Sequence, residues 1–248
     1  MGCLEGLDTP DGMAGFITVD IQSTGGGGFA TRPFGVFYDE TDVFFNRATP
    51  GSCALLPYSD EAPDFNGGKT MNVGESIATT LPTGTHELVP EVDFGFTFYR
   101  AENAGGIAVL PGDTMTFSVP GGDGFPAATI AEALPQTFTY ADVPVPEVRG
   151  PIALSWTAPT LEGSLINYSL RYADDFATGE VNQQISCWFE DTGTAEIPAS
   201  FVDGWMRSKD DLREVFVTRL RSKVLQIEED VELTMIATLM IPTEPIAQ

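Results

Sequence analysis

The most chemically distinctive feature of this sequence is a cluster of basic residues in an acidic chain. Half of the 12 Lys and Arg residues fall within residues 207–223. Side chains alternate between the faces of a strand, so Arg219 and Arg221 share a face if this segment is a strand. Two interpretations stay open: the cations pair with acidic residues at 228–232 on the following strand, or they dock a partner. The docking interpretation assigns the patch to Arg207, Arg213, Arg219, Arg221 and Lys223.

A second group of residues has the oxygen-rich character of a calcium loop. Asp60, Asp64 and Asn66 belong to a segment that ends in Asp-x-Asn-Gly. Calcium takes roughly six to eight oxygen ligands from flexible loops, and extracellular sites are often weak. However, Ala62 occupies the first ligand position of the motif, and the loop lacks a Glu at its end. A weak calcium site therefore competes with the simpler interpretation of a solvated turn.

Two short motifs resemble catalytic signatures, and each lacks an essential part. The sequence Gly68-Lys69-Thr70 matches the end of a phosphate-binding loop, but Pro63 stands where the first glycine of that loop belongs. Ser76 lies in an approximate nucleophile elbow. Its base would have to be His86, the only histidine, in a stretch rich in Pro, Gly and Thr. We predict no catalytic residues, and we expect the protein not to be an enzyme.

The cysteines suggest a position in the cell envelope. Cys3 follows Gly2, as at the processed end of a bacterial lipoprotein whose cysteine carries the lipid; the alternative is an incidental cysteine. Cys53 and Cys187 lie far apart in the sequence. We assign them to different domains and expect two buried thiols rather than a disulfide, although export would permit pairing.

Composition excludes several classes of partner. The 248 residues include 36 Asp and Glu and carry a formal charge of −24. That charge repels nucleic-acid phosphates and anionic lipid headgroups. With 42% hydrophobic residues the chain can still bury a core, so it is not a disordered acidic tail. No apolar run reaches the roughly 18 residues of a membrane span. These features are typical of an extracytoplasmic globular protein.

Short segments with alternating or aromatic-rich patterns predict strands throughout the chain. Turn residues separate them about every ten positions, which is typical of antiparallel sandwiches. We expect strands at 16–21, 34–38, 43–45, 94–99, 114–119, 152–156, 165–172, 184–189, 215–220 and 231–237. Helix is limited to one turn near Ser208–Arg213, and residues 66–85 favour loop or irregular strand.

A proline-rich segment at residues 143–151 predicts a stiff linker. The predicted fold is therefore all-β, with two antiparallel β-sandwich domains. Residues 1–12 form an N-terminal extension, residues 13–145 an acidic sandwich and residues 146–248 an immunoglobulin-like or fibronectin-III-like sandwich. Trp156 is expected to fill the core of the second sandwich.

The second half resembles a family of uncharacterised secreted bacterial lipoproteins, common in Myxococcota and Gemmatimonadota. The resemblance rests on Leu-x-Trp-x-x-Pro at 154–159, on Ile-x-Cys-x-Phe-x-Asp-x-Gly at 185–193 and on Ile-Pro-Ala-Ser at 197–200. It covers roughly residues 110–202. It implies an envelope location and a β-sandwich, but no catalytic residues. The first half departs from the family because the cysteine pair often found there is represented only by Cys53.

These observations favour a non-catalytic extracytoplasmic accessory subunit. We expect a protein partner, such as a larger membrane complex of the respiratory or photosynthetic type, with Cys3 as a lipid anchor. The alternative is a β-sandwich module that binds glycans or calcium. No other cofactor is expected.

The calcium hypothesis predicts a stabilising effect of the metal. A cation that binds only the folded state at tenfold excess over its dissociation constant adds about 1.4 kcal/mol to the free energy of unfolding. Millimolar Ca²⁺ should therefore raise Tm, and Asp64→Asn should reduce that increase. NaCl at equal ionic strength is the control. An unchanged Tm of the wild-type protein in Ca²⁺ would contradict the hypothesis.

Overall fold

The fold is built almost entirely from strands in a computed structural model that describes residues 12–24, 26–39, 49–59, 69–103, 105–174 and 179–242. The predicted Val43–Phe45 strand lies outside these residues. The strands of the first half are β1 (Met13–Ser23), β2 (Phe29–Thr31), β3 (Phe34–Asp39), β4 (Ser52–Pro57), β5 (Lys69–Thr70), β6 (Ile77–Leu81), β7 (Gly84–Asp93), β8 (Phe96–Ala101), β9 (Ile107–Val109), β10 (Thr114–Val119) and β11 (Ala128–Ala133).

The second half adds six strands and one short α-helix. These elements are β12 (Ile152–Ser155), β13 (Ser164–Tyr172), β14 (Gln183–Glu190), β15 (Thr194–Ile197), α1 (Val202–Arg207), β16 (Arg213–Glu228) and β17 (Val231–Pro242). The predicted helical turn is a 3-10 turn at Asp210–Leu212, whereas α1 was not predicted. The all-β prediction is confirmed.

Two local predictions were wrong, one in the start of a strand and one in the type of element. The aromatic segment at 94–99 does not begin as a strand, because Phe94 and Gly95 both have positive φ and form the turn between β7 and β8. The stretch expected to be loop or irregular strand contains a regular one, β6. Its residues Ile77, Thr79 and Leu81 are buried, so alternating burial supports the strand despite its threonines.

One long, mostly antiparallel sheet contains most of the strands. Its order is β11-β10-β6-β7-β8-β3-β1-β17-β16-β13-β14-β4, with short strands attached at β1 and β3, while β12 and β15 form a separate pair. The sheet closes on itself as a sandwich, because β11 lies against β16. Lys223 donates to the Ala131 carbonyl across this contact at 3.0 Å.

The alternation of side chains gives the strands one face toward the core and one outer face. In β17, Leu233, Met235 and Ala237 are fully buried in the main core. β1 runs parallel to β17, with Gly15 opposite Leu233 and Ile17 opposite Met235. The close approach requires glycine at 15, because a Cβ there would lie 2.6 Å from the Phe37 ring.

Contacts across the predicted domain boundary are a further finding. The pairing of β1 with β17 and that of β4 with β14 both join residues on opposite sides of residue 146. One cluster of buried side chains also includes both halves, among them Ile17, Phe117, Trp156 and Leu233. The division at 146 and the immunoglobulin type of the second half stay predictions, and the sequence did not predict these contacts.

The expectation of two separate thiols was wrong. Cys53 and Cys187 form a disulfide with a Cα–Cα distance of 4.1 Å. They are direct cross-strand neighbours, because β4 pairs antiparallel with β14. The disulfide therefore joins β4, the terminal strand of the sheet, covalently to its neighbour β14. None of the helices in the described part of the chain has the length and apolar character to cross a membrane.

The disulfide predicts a measurable loss of stability on removal. It joins residues separated by 134 positions, and cross-links of this kind stabilise proteins by about 2–5 kcal/mol, mainly by constraining the unfolded chain. The double substitution Cys53→Ser/Cys187→Ser should lower the free energy of unfolding by that amount in denaturant titrations. Dithiothreitol should destabilise the wild-type protein and leave the variant unchanged. Equal midpoints of wild type with and without dithiothreitol would contradict this assignment.

Candidate functional site

The predicted docking residues extend from α1 along β16, and most of them bind other parts of the same chain. Arg219 is the extreme case. Its side chain is 0% exposed, and the side chain of its partner Asp191 is 1% exposed. Arg219 Nε donates to Asp191 Oδ2 at 2.6 Å, and Nη2 donates to Oδ1 at 3.0 Å. This bidentate pair is the strongest ionic geometry available to an arginine.

The remaining Arg219 donors are satisfied by backbone carbonyls. Nη1 donates to Gln136 and Thr137 at 3.1 and 3.2 Å, and Nη2 donates to Thr157 at 2.6 Å. A guanidinium has five N–H donors, so all of them are used. The group also lies 4.7 Å from the ring centroid of Phe138. Full satisfaction of its donors explains how a charge is tolerated at zero exposure.

Asp191 extends the network to the aromatic core. Its Oδ1 also accepts the Trp156 Nε1–H at 2.6 Å. The Trp156 ring packs 5.6 Å from Tyr168 and 6.5 Å from Phe189, measured between centroids. Trp156 is buried, as predicted. The Asp191 carboxylate thus connects the turn after β14, the segment after β12 and the middle of β16.

Two predictions about the basic cluster need correction. Arg219 is not a docking residue, because its guanidinium lies in the interior. Its partner is also not an acid at 228–232. The register of β16 and β17 places Leu239 opposite Arg219 and Ala237 opposite Arg221, whereas Glu229 and Asp230 form the hairpin turn. The predicted common face of Arg219 and Arg221 is confirmed, because their carboxylate partners lie on the core side.

Arg221 and Lys223 form side-chain contacts between the two layers of the sandwich. Arg221 lies 2.7 Å from Glu132, with side-chain exposures of 13% and 16%, and it also donates to the Glu162 carbonyl at 2.7 Å. Lys223 donates to Ala131. These three contacts join β16 to β11 or to the loop before β13. The geometry therefore gives these residues intramolecular roles, and their docking role stays a prediction.

Arg213 binds the end of α1, whereas Arg207 remains accessible. Arg213 donates to the carbonyls of Trp205, Met206 and Ser208 and pairs with Asp210. The carbonyls at a helix end lack intrahelical partners, so a cation there stabilises the helix. Arg207 is 70% exposed, with Asp174 at 3.8 Å. Among the five predicted docking residues, Arg207 and Lys223 are the exposed ones.

Other predicted site residues lie outside the described part of the chain. They are the lipidation candidate Cys3 and the calcium candidates Asp60, Asp64 and Asn66, and these assignments stay predictions. Within the described residues, no group of three or more His, Cys, Asp and Glu side chains is arranged to hold a metal ion.

The strand register separates the two residues of the approximate nucleophile motif. His86 in β7 lies opposite Thr79 in β6, and Ser76 precedes β6. Three strand positions correspond to about 10 Å, so the register offers no direct Ser76–His86 pair.

The buried phenol of Tyr168 is another ionisable group near Asp191. Burial, and then the negative potential of Tyr140 and Asp191, raise its pKa, so it stays protonated near neutral pH.

Sequence reasoning missed a group of arginine and aromatic side chains on β3 and β8. Phe34 and Arg100 are cross-strand neighbours, and the Arg100 guanidinium lies 5.4 and 5.5 Å from the ring centroids of Phe34 and Phe98. The aromatic richness of residues 94–99 was the available signal. The pairing of that segment with β3, about 65 positions earlier, was not readable from local pattern.

Comparison with known proteins identifies no family for this chain. No protein-family model matches the sequence, and no curated protein shows significant similarity to it. The resemblance to secreted lipoproteins therefore stays a prediction.

The Arg219–Asp191 pair predicts an asymmetric response to substitution. Asp191→Asn leaves a buried guanidinium without a counter-charge, which typically costs about 3–5 kcal/mol. The free energy of unfolding should fall by that amount, whereas Arg207→Gln at an exposed pair should change it by less than about 1 kcal/mol. The double substitution Asp191→Leu/Arg219→Met should recover part of the loss. Equal effects of Asp191→Asn and Arg207→Gln would contradict this role.

Proposed function

We propose that this protein is a non-catalytic extracytoplasmic interaction subunit that docks a protein partner through the outer face of its long sheet. The basic cluster no longer supplies the main argument, because Arg213, Arg219 and Arg221 are bound within the chain. The observation that carries the proposal is a group of apolar side chains on the outer face of β13, β16 and β17.

Strand register makes these apolar side chains neighbours. Leu165 lies opposite Leu220, and Ile236 lies opposite Ser222, diagonal to both Leu220 and Val224. Diagonal neighbours on a sheet are within reach of long side chains. Val224 is 39% exposed, and Met240, opposite Thr218 on the same face, is 46% exposed. We call this group of Leu165, Leu220, Val224, Ile236 and Met240 the apolar face.

Polar side chains are expected on the solvent side of an antiparallel sheet. Here Val224 and Met240 are exposed, and the other three side chains of the apolar face are half-buried. Large apolar side chains at such positions are typical of protein interaction surfaces. Acidic residues border the apolar face: Glu190 lies opposite Leu165, and Asp20 and Glu232 point to the same side from β1 and β17. The surface therefore fits a partner with an apolar centre and a basic rim, because complementary charge speeds and orients association.

The Cys53–Cys187 disulfide supports an oxidising compartment for the protein. We therefore propose a place outside the cytoplasm, with Cys3 as lipid anchor. The partner would be a subunit of a larger membrane complex, of the respiratory or photosynthetic type.

The second candidate function is a glycan- or calcium-binding module. Calcium binding has no support from the described residues, because the acidic segment predicted from sequence lies outside them. Glycan binding is favoured by one observation, the exposed Arg100 and the half-buried aromatic side chains of β3 and β8. The two candidate functions use different surfaces and can be tested separately.

A charge placed on the apolar face should abolish docking. The double substitution Leu220→Glu/Ile236→Glu adds two desolvation penalties to any apolar interface. In native purification from the source membranes, the wild-type protein should migrate with a large complex and the variant should migrate alone. Val92→Glu on β7, where valine is 71% exposed, is the matched control and should retain the complex. Retention by the Leu220/Ile236 variant, with an unchanged Tm, would contradict the proposal.

A further inference from the structure

A cleft opens where the start of β3 meets the end of β8. Its volume is about 400 Å³, within the range of roughly 300–1,000 Å³ typical of ligand sites. The cleft is lined by Arg32, Pro33, Phe34, Arg100, Ala101 and Asn103. This lining combines two cations, an aromatic ring and an amide in a chain whose acidic residues outnumber its basic ones three to one.

Arg100 is held in place by stacking and by an exchangeable ion pair. Its guanidinium rests over Phe34 and Phe98, which leaves its N–H groups directed along the plane of the guanidinium. Nη1 donates to Glu91 at 3.3 Å, with side-chain exposures of 50% and 55%. Exposed pairs contribute little free energy. A ligand carboxylate can therefore replace Glu91 at low cost.

Asn103, which lines the cleft, accepts two hydrogen bonds from residues that follow it. The Asn103 carbonyl accepts the Gly106 N–H at 2.9 Å, and Asn103 Oδ1 accepts the Gly105 N–H at 2.9 Å. Gly106 has a φ of 76° and a Cβ there would lie 2.8 Å from the Thr31 carbonyl, so glycine is required. The cleft wall is thus largely preformed, which reduces the entropic cost of binding.

A row of aromatic rings continues from the cleft along β8. Phe34 and Phe98 lie 5.2 Å apart between centroids, and Phe96 stacks on Phe98 at 6.2 Å with an interplanar angle of 25°. The four strand positions from Arg100 to Phe96 span about 13 Å. The row is partly exposed and long enough to contact more than one ring of a ligand.

We propose that the cleft and this aromatic row bind an acidic oligosaccharide. A uronate carboxylate takes the place of Glu91 at Arg100, with Arg32 adding positive potential, and the apolar C–H faces of the sugar rings pack against Phe34, Phe98 and Phe96. The inference rests on the second candidate function, the glycan-binding module, and is independent of docking through the apolar face.

Titration calorimetry of the full chain with galacturonate and mannuronate tetramers tests the proposal. At least one tetramer should bind, and its fully methyl-esterified form should bind at least about tenfold more weakly, since charged hydrogen bonds are lost. Arg100→Gln should weaken binding by a similar factor. Glu91→Gln should tighten it by up to about fivefold, because the competing carboxylate is removed.

Arg149→Gln is the matched control. Arg149 is an exposed arginine paired with Asp203 at 3.1 Å in another part of the molecule, so its substitution should leave affinity unchanged. Failure of both acidic tetramers to bind, or equal affinity for the esterified form, would overturn the proposal. Equal affinity for a tetraglutamate peptide would also overturn it. Binding of a neutral oligosaccharide in place of the acidic ones would overturn this inference while leaving the glycan-binding function standing.

Discussion

The structure depends most on one buried ionic contact, the bidentate pair of Arg219 and Asp191. A charged pair without exposure is costly unless every donor and acceptor finds a partner. Here the guanidinium fixes the distances among the middle of β16, the turn after β14 and the backbone at 136–137 and 157. Trp156 is fixed through the same carboxylate. The pair thereby specifies how the small β12–β15 sheet and the segment before it pack against the long sheet.

The same contact explains why the surface chemistry differs from the expectation. A sequence with few cations invites the hypothesis that a cluster of them is reserved for a partner. In this protein two members of the cluster instead neutralise acids that packing has brought inside or between layers: Arg219 pairs with Asp191, and Arg221 pairs with Glu132. The described residues also offer the apolar face for recognition, together with the arginine and aromatic side chains of β3 and β8.

Local patterns predicted most strands because alternation and turn residues act over a few positions. The strand at 114–119 matches β10 at both ends. The partners of Arg219 were not predictable, because Gln136, Thr157 and Asp191 meet only through long-range packing. The same holds for Cys53 and Cys187, which became neighbours through the pairing of β4 with β14. Phe94 was misassigned to a strand because an exposed aromatic with positive φ contradicts its usual preference.

The parallel pairing of β1 with β17 has a consequence for how the chain reaches its fold. Asp20 in β1 accepts a hydrogen bond from Thr238, 218 positions later. The central strand of the sheet therefore lacks one neighbour until nearly all described strands have been synthesised. Pairings of such sequence separation carry a large loop-closure cost and form slowly. The first half therefore cannot complete its sheet as it emerges from the ribosome, and β1 gains this neighbour only after β17 has been synthesised.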